Sequence, residues 1–388
     1  MIKRIHILFL ILSLVVSACI EPYEADIEED TTLLVIDGSL VKGDSIQKVL
    51  VSTTTSLLDP RPRPMGSCEV IVLDDQERGY QFYESETGTY SLHIPDEQLV
   101  YGRQYKVRII SPDGKVYESE YEMLNAAAEV DEIYYSIEDK FDAVTGQQLT
   151  GVQFYIDILA PDEVPRYFRW NLEETYEYTT GGPITYYYDL LRNDQGEEYL
   201  VMVTPDNPWE FYRCWITEKV PGLYLSNTIN LTVNEKKKIP LHYVSTERDR
   251  MKIRYNLLVK QYSMNEGAYN YWLQNKTTTE EGGGLYTEQP AQPLTNLCNV
   301  DDNTEMVIGY FWVSTMKEKR IVVPRPNDLI VPDEKCSMYD FDPMHHLHPP
   351  WPVYIRVPEF TSDILTGDQY CFLCTARGGS LTPPDFWE

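Results

Sequence analysis

Apolar residues recur at every second position along much of this chain, in short runs broken by Gly, Pro, Asn and Asp. Such alternation puts one side of a strand in a core and the other in water. Between 33 and 124 the runs are Leu33–Leu40, Ile46–Thr54, Cys68–Leu73, Tyr80–Tyr83, Tyr90–Ile94, Tyr105–Ile110 and Val116–Met123. The stretch Tyr105-Lys-Val107-Arg-Ile109 alternates without a break, and Pro112-Asp113-Gly114 supplies a tight turn after it. Tyr105 follows Tyr101-Gly102 at the start of its run, where an immunoglobulin-like sandwich carries its tyrosine corner. Seven runs at this spacing predict an N-terminal immunoglobulin-like β-sandwich over residues 33–125.

After Asn125-Ala-Ala-Ala128 the same signal continues through a larger region, 126–388. Its runs are Val130–Ile137, Val152–Leu159, Tyr167–Tyr178, Tyr186–Leu191, Tyr199–Val203, Phe211–Thr217, Leu223–Leu231, Lys238–Val244, Ile253–Tyr262, Met306–Ser314, Arg320–Val323 and Val353–Val357. In Phe168-Arg-Trp170-Asn-Leu172 the period of two sends Arg169 and Asn171 to water. One helix interrupts the strands. Ser263-Met-Asn-Glu266 reads as a capping box; Tyr269, Trp272 and Leu273 follow at helical spacing, and Gly282-Gly-Gly284 ends the segment. The expectation is a mainly β chain, with a larger antiparallel β-barrel or sandwich carrying one short inserted helix.

The N-terminus departs from this pattern. In MIKRIHILFLILSLVVSAC a basic start precedes an almost unbroken apolar stretch, Ile5 to Val16, too short to span a bilayer, which takes about 20 residues. It predicts a signal peptide over 1–18, and Val16-Ser17-Ala18-Cys19 resembles a bacterial lipobox, which makes Cys19 the lipid-attachment residue. Residues 19–32 hold five acids from Glu24 to Asp30 and read as a solvated tether. Cleavage removes two of the 33 basic side chains, so 61 acidic residues face 31 basic ones, net −30. That charge argues against nucleic acid or an anionic lipid face as partner and assigns membrane attachment to acyl chains.

Signatures of catalysis are missing. There is no G-x-S-x-G elbow, P-loop, dinucleotide glycine pattern or HExxH, so no catalytic residue and no cofactor is expected. His345, His346 and His348 could gather a metal, but the surrounding prolines favour an exposed loop and leave this a weak candidate. Asn299-Val-Asp301-Asp302-Asn303 is a still weaker calcium signal without EF-hand spacing. The stretch TYEYTTGGPITYYYD offers Tyr176, Tyr178, Tyr186, Tyr187 and Tyr188 on either side of a Gly-Gly-Pro turn. On a hairpin these rings form either a recognition surface or a simple cover for the sheet.

With Cys19 assigned to lipid, Cys68, Cys214, Cys298, Cys336, Cys371 and Cys374 remain. An even number in an exported chain favours disulfides, with Cys214, Cys298, Cys336, Cys371 and Cys374 the candidates and Cys68 read as a buried thiol. The pair Cys371 and Cys374 lacks the second C-x-x-C of a zinc ribbon and the βαβ setting of a thioredoxin motif. In an extended last strand the two would face opposite ways, so they take different partners or only one is bonded; Cys336 is the nearest candidate. Phe386 and Trp387 are then expected to pack the terminus onto the β-domain.

Several of these segments together carry a resemblance. The lipobox, LLVIDGSL at 33–40, GLYTEQPAQPLTNLCNVDDNTEMVIGYFWVS at 284–314 and the closing C-x-x-C-x-x-R-G-G-x-x-x-x-P-x-F-W resemble an uncharacterised Bacteroidota surface-lipoprotein family, the domain of unknown function 4249. In the closing motif the matching positions are Cys371, Cys374, Arg377, Gly378, Gly379, Pro384, Phe386 and Trp387. The resemblance implies a lipid-anchored outer-membrane protein displayed on the cell exterior, often beside TonB-dependent, SusC-like transporters, and no enzymatic activity. The expected function is therefore a non-enzymatic accessory or binding subunit of an outer-membrane complex. The alternatives are ligand capture (glycan, peptide or metal complex) for nutrient uptake, or a subunit of another outer-membrane assembly machine.

Overall fold

A computed structural model describes residues 32–54, 61–141, 145–281, 293–332 and 336–387. The signal peptide, Cys19, the acidic tether up to residue 31 and the glycines expected to end the helix lie outside these residues. The chain is mainly β. In order, the N-terminal strands are β1 (Leu34–Lys42), β2 (Ile46–Thr53), β3 (Arg63–Pro64), β4 (Glu69–Asp74), β5 (Gly79–Glu86), β6 (Thr89–His93), β7 (Gln104–Ile110), β8 (Val116–Ser119) and β9 (Glu122–Met123). Then come β10 (Ile133–Phe141), β11 (Gln148–Leu159), β12 (Tyr167–Thr179), β13 (Tyr186–Arg192), β14 (Glu198–Val203), β15 (Arg213–Asn227), β16 (Glu235–Ser245) and β17 (Arg254–Met264). The rest is helix α1 (Glu266–Glu281), β18 (Leu297–Asn299), β19 (Val307–Pro324), β20 (Met338–Asp340), the short α2 (Pro343–His346), β21 (Val353–Ile355) and β22 (Leu365–Gly367).

The N-terminal strands form two layers joined through β5. Its first half pairs with β4 (Val70 opposite Phe82) and its second half with β6 (Tyr83 opposite Ser91), so one strand turns from layer to layer. Between them lie Ile36, Leu40, Val49, Val51, Val70, Val72, Phe82, Val107 and Ile109, all buried. Tyr105 completes the tyrosine corner: its buried hydroxyl accepts the Val100 backbone N–H at 3.0 Å. At the β4–β5 turn, burial opposes ionisation of Asp74, but the backbone N–H groups of Arg78 and Gln76 and the guanidiniums of Arg78 and Arg103 outweigh it and hold its pKa at about 2.

A fourteen-stranded mixed sheet runs through the molecule, its main path β15–β12–β17–β19–β1–β2–β6–β5–β4–β7–β8–β18. The path is open at both ends, so among the described residues no barrel closes. Its one parallel pair among the described strands joins β1 to β19, with Ile36 opposite Gly309. Gly309 sits at φ +109°, and a Cβ there would come within 1.9 Å of the Ile36 carbonyl oxygen, so this junction requires glycine. Through it, Val307, Phe311 and Val313 enter the N-terminal core, together with Leu297 from β18.

A second core lies between this sheet and the three strands β10–β11–β16, where Phe154, Ile156, Phe168, Trp170, Leu172, Tyr255, Leu257 and Val259 meet. Burying each such side chain is worth about 1.5–3 kcal/mol. Two pairs of expected runs turn out to be single strands. β15 passes through Pro221-Gly222 by a bulge, with Gly222 at φ +128°, where a turn is expected from the sequence. β19 continues through Lys317-Glu-Lys319 because β17 offers it an unbroken hydrogen-bonding partner. The capping box does not form. Ser263 remains in β17, opposite Phe168 and Thr315, and α1 begins at Glu266.

Candidate functional site

Two disulfides hold the C-terminal segment, one to β15 and one to itself. Cys214 on β15 bonds Cys374 with Cα atoms 5.6 Å apart, and Cys336 bonds Cys371 at 5.5 Å. The segment is no strand: Gln369–Cys371 and Cys374–Arg377 are 3₁₀ turns, and this winding presents the two thiols to different partners. Tyr178 donates its hydroxyl to the Cys374 carbonyl, and Trp215 and Ser380 exchange backbone hydrogen bonds at 3.0 and 2.8 Å. Trp387 is buried beneath Arg254, and Phe386 lies 3.6 Å from the Arg320 guanidinium carbon. Cys298, expected among the bridges, is an exposed free thiol; the β18 alternation turns Leu297 and Asn299 inward and Cys298 out. Cys68 is also unbridged and, against expectation, only half-buried at the edge of the core; desolvation pushes its thiol up.

The tyrosine stretch does not fold as one hairpin. β12 pairs with β15 and β17, whereas β13 pairs with β14 and β21. Tyr178 is buried against the Cys214–Cys374 bridge, with Tyr176 packed beside it. Tyr187 turns inward onto Tyr354, near Phe372 and Cys371. Tyr186 and Tyr188 face the other way. Cross-strand register places Met202 opposite Tyr188 and Leu200 opposite Leu190, so these residues and Tyr186 share one open apolar face. Phe341 stacks on Tyr188 at 5.6 Å, while Met202 stays 59% exposed.

The three histidines are engaged separately. His345 Nδ1 lies 2.6 Å from Asp342, the N-cap of α2; His346 Nδ1 accepts the Asp342 backbone N–H; His348 Nδ1 meets the Pro349 carbonyl. Among the described residues no group of three His, Cys, Asp or Glu side chains is placed to hold a metal ion. Near the weak calcium signal, Asn299 Oδ1 accepts the backbone N–H groups of Asp301 and Asp302, and Glu305 pairs with Lys115.

Among the described residues, two pockets have arginine in their walls. Beneath the C-terminal segment a cavity of about 480 Å³ is lined by Tyr176, Tyr178, Tyr370, Arg250 and Arg377. Two of its arginines are paired, Arg250 with Glu174 and Glu218 at 2.9 and 3.2 Å and Arg377 with Asp249 at 3.7 Å, while Arg248 stands at its wall. The other, of about 450 Å³, lies across β15, β12, β17, β19, β1 and β2 under the edge of α1. Arg169 stands in it only 9% exposed, contrary to the expectation that it faces water. The alternation is right about the side: Phe168 and Trp170 enter the core and Arg169 points away from it. That side, however, is roofed by Trp272 of α1, Trp312 of β19 and Tyr262 of β17, at 3.7, 5.4 and 5.9 Å from the guanidinium carbon. Burial pushes the Arg169 pKa down to about 10, which leaves it a cation at neutral pH.

The family model described as Domain of unknown function (DUF4249) matches residues 20–320. The chain belongs to this family. No curated relative matches it. The stretch matched to DUF4249 contains the whole N-terminal sandwich and every residue of the Arg169 pocket, whereas Cys336, Cys371 and Cys374 lie beyond it. Arg169 is the site residue that sequence reasoning missed. The one signal available was an arginine set between two apolar-aromatic neighbours in a strand, and its aromatic roof comes from residues some 90 to 140 positions later.

Proposed function

We propose that the protein is a non-enzymatic lipoprotein, held on the outer membrane and facing the cell exterior through acyl chains on Cys19. It serves as an accessory subunit of an outer-membrane complex, beside a TonB-dependent, SusC-like β-barrel. The observation that carries the docking role is the open face of the β13–β14 hairpin, where Tyr186, Tyr188, Leu190, Leu200 and Met202 lie together on a chain of net charge −28. An apolar-aromatic face on an otherwise strongly acidic protein suits contact with extracellular loops of a partner. The anchor rests on the sequence from Lys3 to Cys19, and among the described residues no helix is long and apolar enough to cross a membrane. Mild-detergent pull-down of the native protein tests this reading. A β-barrel should co-purify in near-equal amount, and isolation as a lone monomer would refute the docking role.

A further inference from the structure

We propose that the pocket over Arg169 is a binding site for a small organic carboxylate with a flat apolar or aromatic body. The Arg169 side chain carries five N–H donors, and no hydrogen bond or ion pair is formed by them within the described protein; its Nε is fully buried and unpartnered. The three aromatic rings around it compensate part of its charge but accept no N–H hydrogen bond in the plane of the guanidinium. Trp272 Nε1, beside it, is a second buried donor without an acceptor. Those two nitrogens are sealed from the cavity, but the rest of the Arg169 guanidinium lines it without a hydrogen-bond partner in the described protein, so an acceptor that enters the cavity meets a cation there.

The acceptor's chemistry follows from the surroundings. A carboxylate offers only acceptors, and its planar fork matches a guanidinium edge. Lys48 and Lys219 line the same pocket, and neither forms an ion pair within the described protein, so cations outnumber Asp37 and Asp44 there on a chain that is otherwise acidic. A phosphate would bring up to two negative charges beside those two aspartates; a carboxylate brings one. Trp272, Trp312 and Tyr262 supply the apolar wall for the body of the ligand. Asp37 feels the charge of Arg169 but forms no hydrogen bond or close ion pair within the described protein, and it would face an ammonium if the ligand carried one, as an amino acid or peptide end does. The volume of about 450 Å³ suits a ligand of that size.

The pocket shares no residue with the β13–β14 face, so the site and the docking role stand or fall separately. The test uses the full chain in nanodiscs of neutral lipid and calorimetry with indole-3-acetate, phenylacetate and tryptophan, each set against its neutral amide or alcohol. At least one acid should bind saturably, and its neutral analogue about tenfold more weakly or worse. Arg169→Gln should lose affinity by about the same factor while its thermal midpoint is retained. If tryptophan binds more tightly than indole-3-acetate, the site also engages the ammonium, at Asp37, and the proposal is sharpened. Binding of no acid, or equal binding of an acid and its neutral analogue, would overturn it. The acid-against-analogue comparison uses the unaltered protein, so it decides the matter even if Arg169→Gln fails to fold.

Discussion

The N-terminal sandwich and the C-terminal segment solve the same problem by different means. In the sandwich β1, β2, β5 and β7 are seven to nine residues long and bury a continuous apolar core, and Cys68 packs against it as a half-buried, unbridged thiol. In 336–387 each strand is three residues long, most of the backbone is turn, and two disulfides secure the segment to β15 and to itself. A strand of three residues has too few inward positions to hold a register by burial alone, so cross-links supply what the apolar area does not. The open face proposed for docking belongs to the second regime. β13 pairs with β21, and Tyr187 rests on the cluster around the Cys336–Cys371 bridge.

The comparison breaks first in its core. Phe82→Ala, which removes a buried ring between the two layers, should cost about 4 kcal/mol and be seen as a lower urea midpoint for the sandwich. The double change Cys214→Ser with Cys374→Ser should cost about 3 kcal/mol, with hydrogen exchange speeding up in 369–387 and the amides of β4 and β7 staying protected. Asp74→Asn should cost about 2 kcal/mol at neutral pH. The sign with pH is defined. Because the folded pKa is depressed to about 2, the stabilisation is complete above the ordinary carboxylate pKa near 4 and fades as pH falls through about 2. The gap between wild type and variant in urea titrations should therefore close over that interval; a gap that persists at pH 2 would assign the loss to packing.

The two regions also differ in what their residues disclose in advance. Alternation such as Tyr105-Lys-Val107-Arg-Ile109 reports burial directly, which is why the sandwich strands and the tyrosine corner can be read from the chain. Pairing between distant segments leaves no local mark. Nothing near Ile36 or Gly309 indicates that β1 and β19, some 270 residues apart, lie parallel and in contact. Cysteine spacing cannot choose among pairings, since the choice depends on which Cα atoms the fold brings within about 6 Å. Arg169 shows the same limit in one side chain: period two gives the face, and only the tertiary placement of α1 decides whether that face is wet.

The most direct test of the proposed docking role compares the two regions in living cells. A photo-crosslinking residue is placed at Met202, on the open β13–β14 face, or at Tyr83, which is 68% exposed on the sandwich. The account predicts an adduct with an outer-membrane β-barrel, identified by mass, from position 202 and none from 83. A barrel adduct from 83 alone, or from neither position, would contradict it.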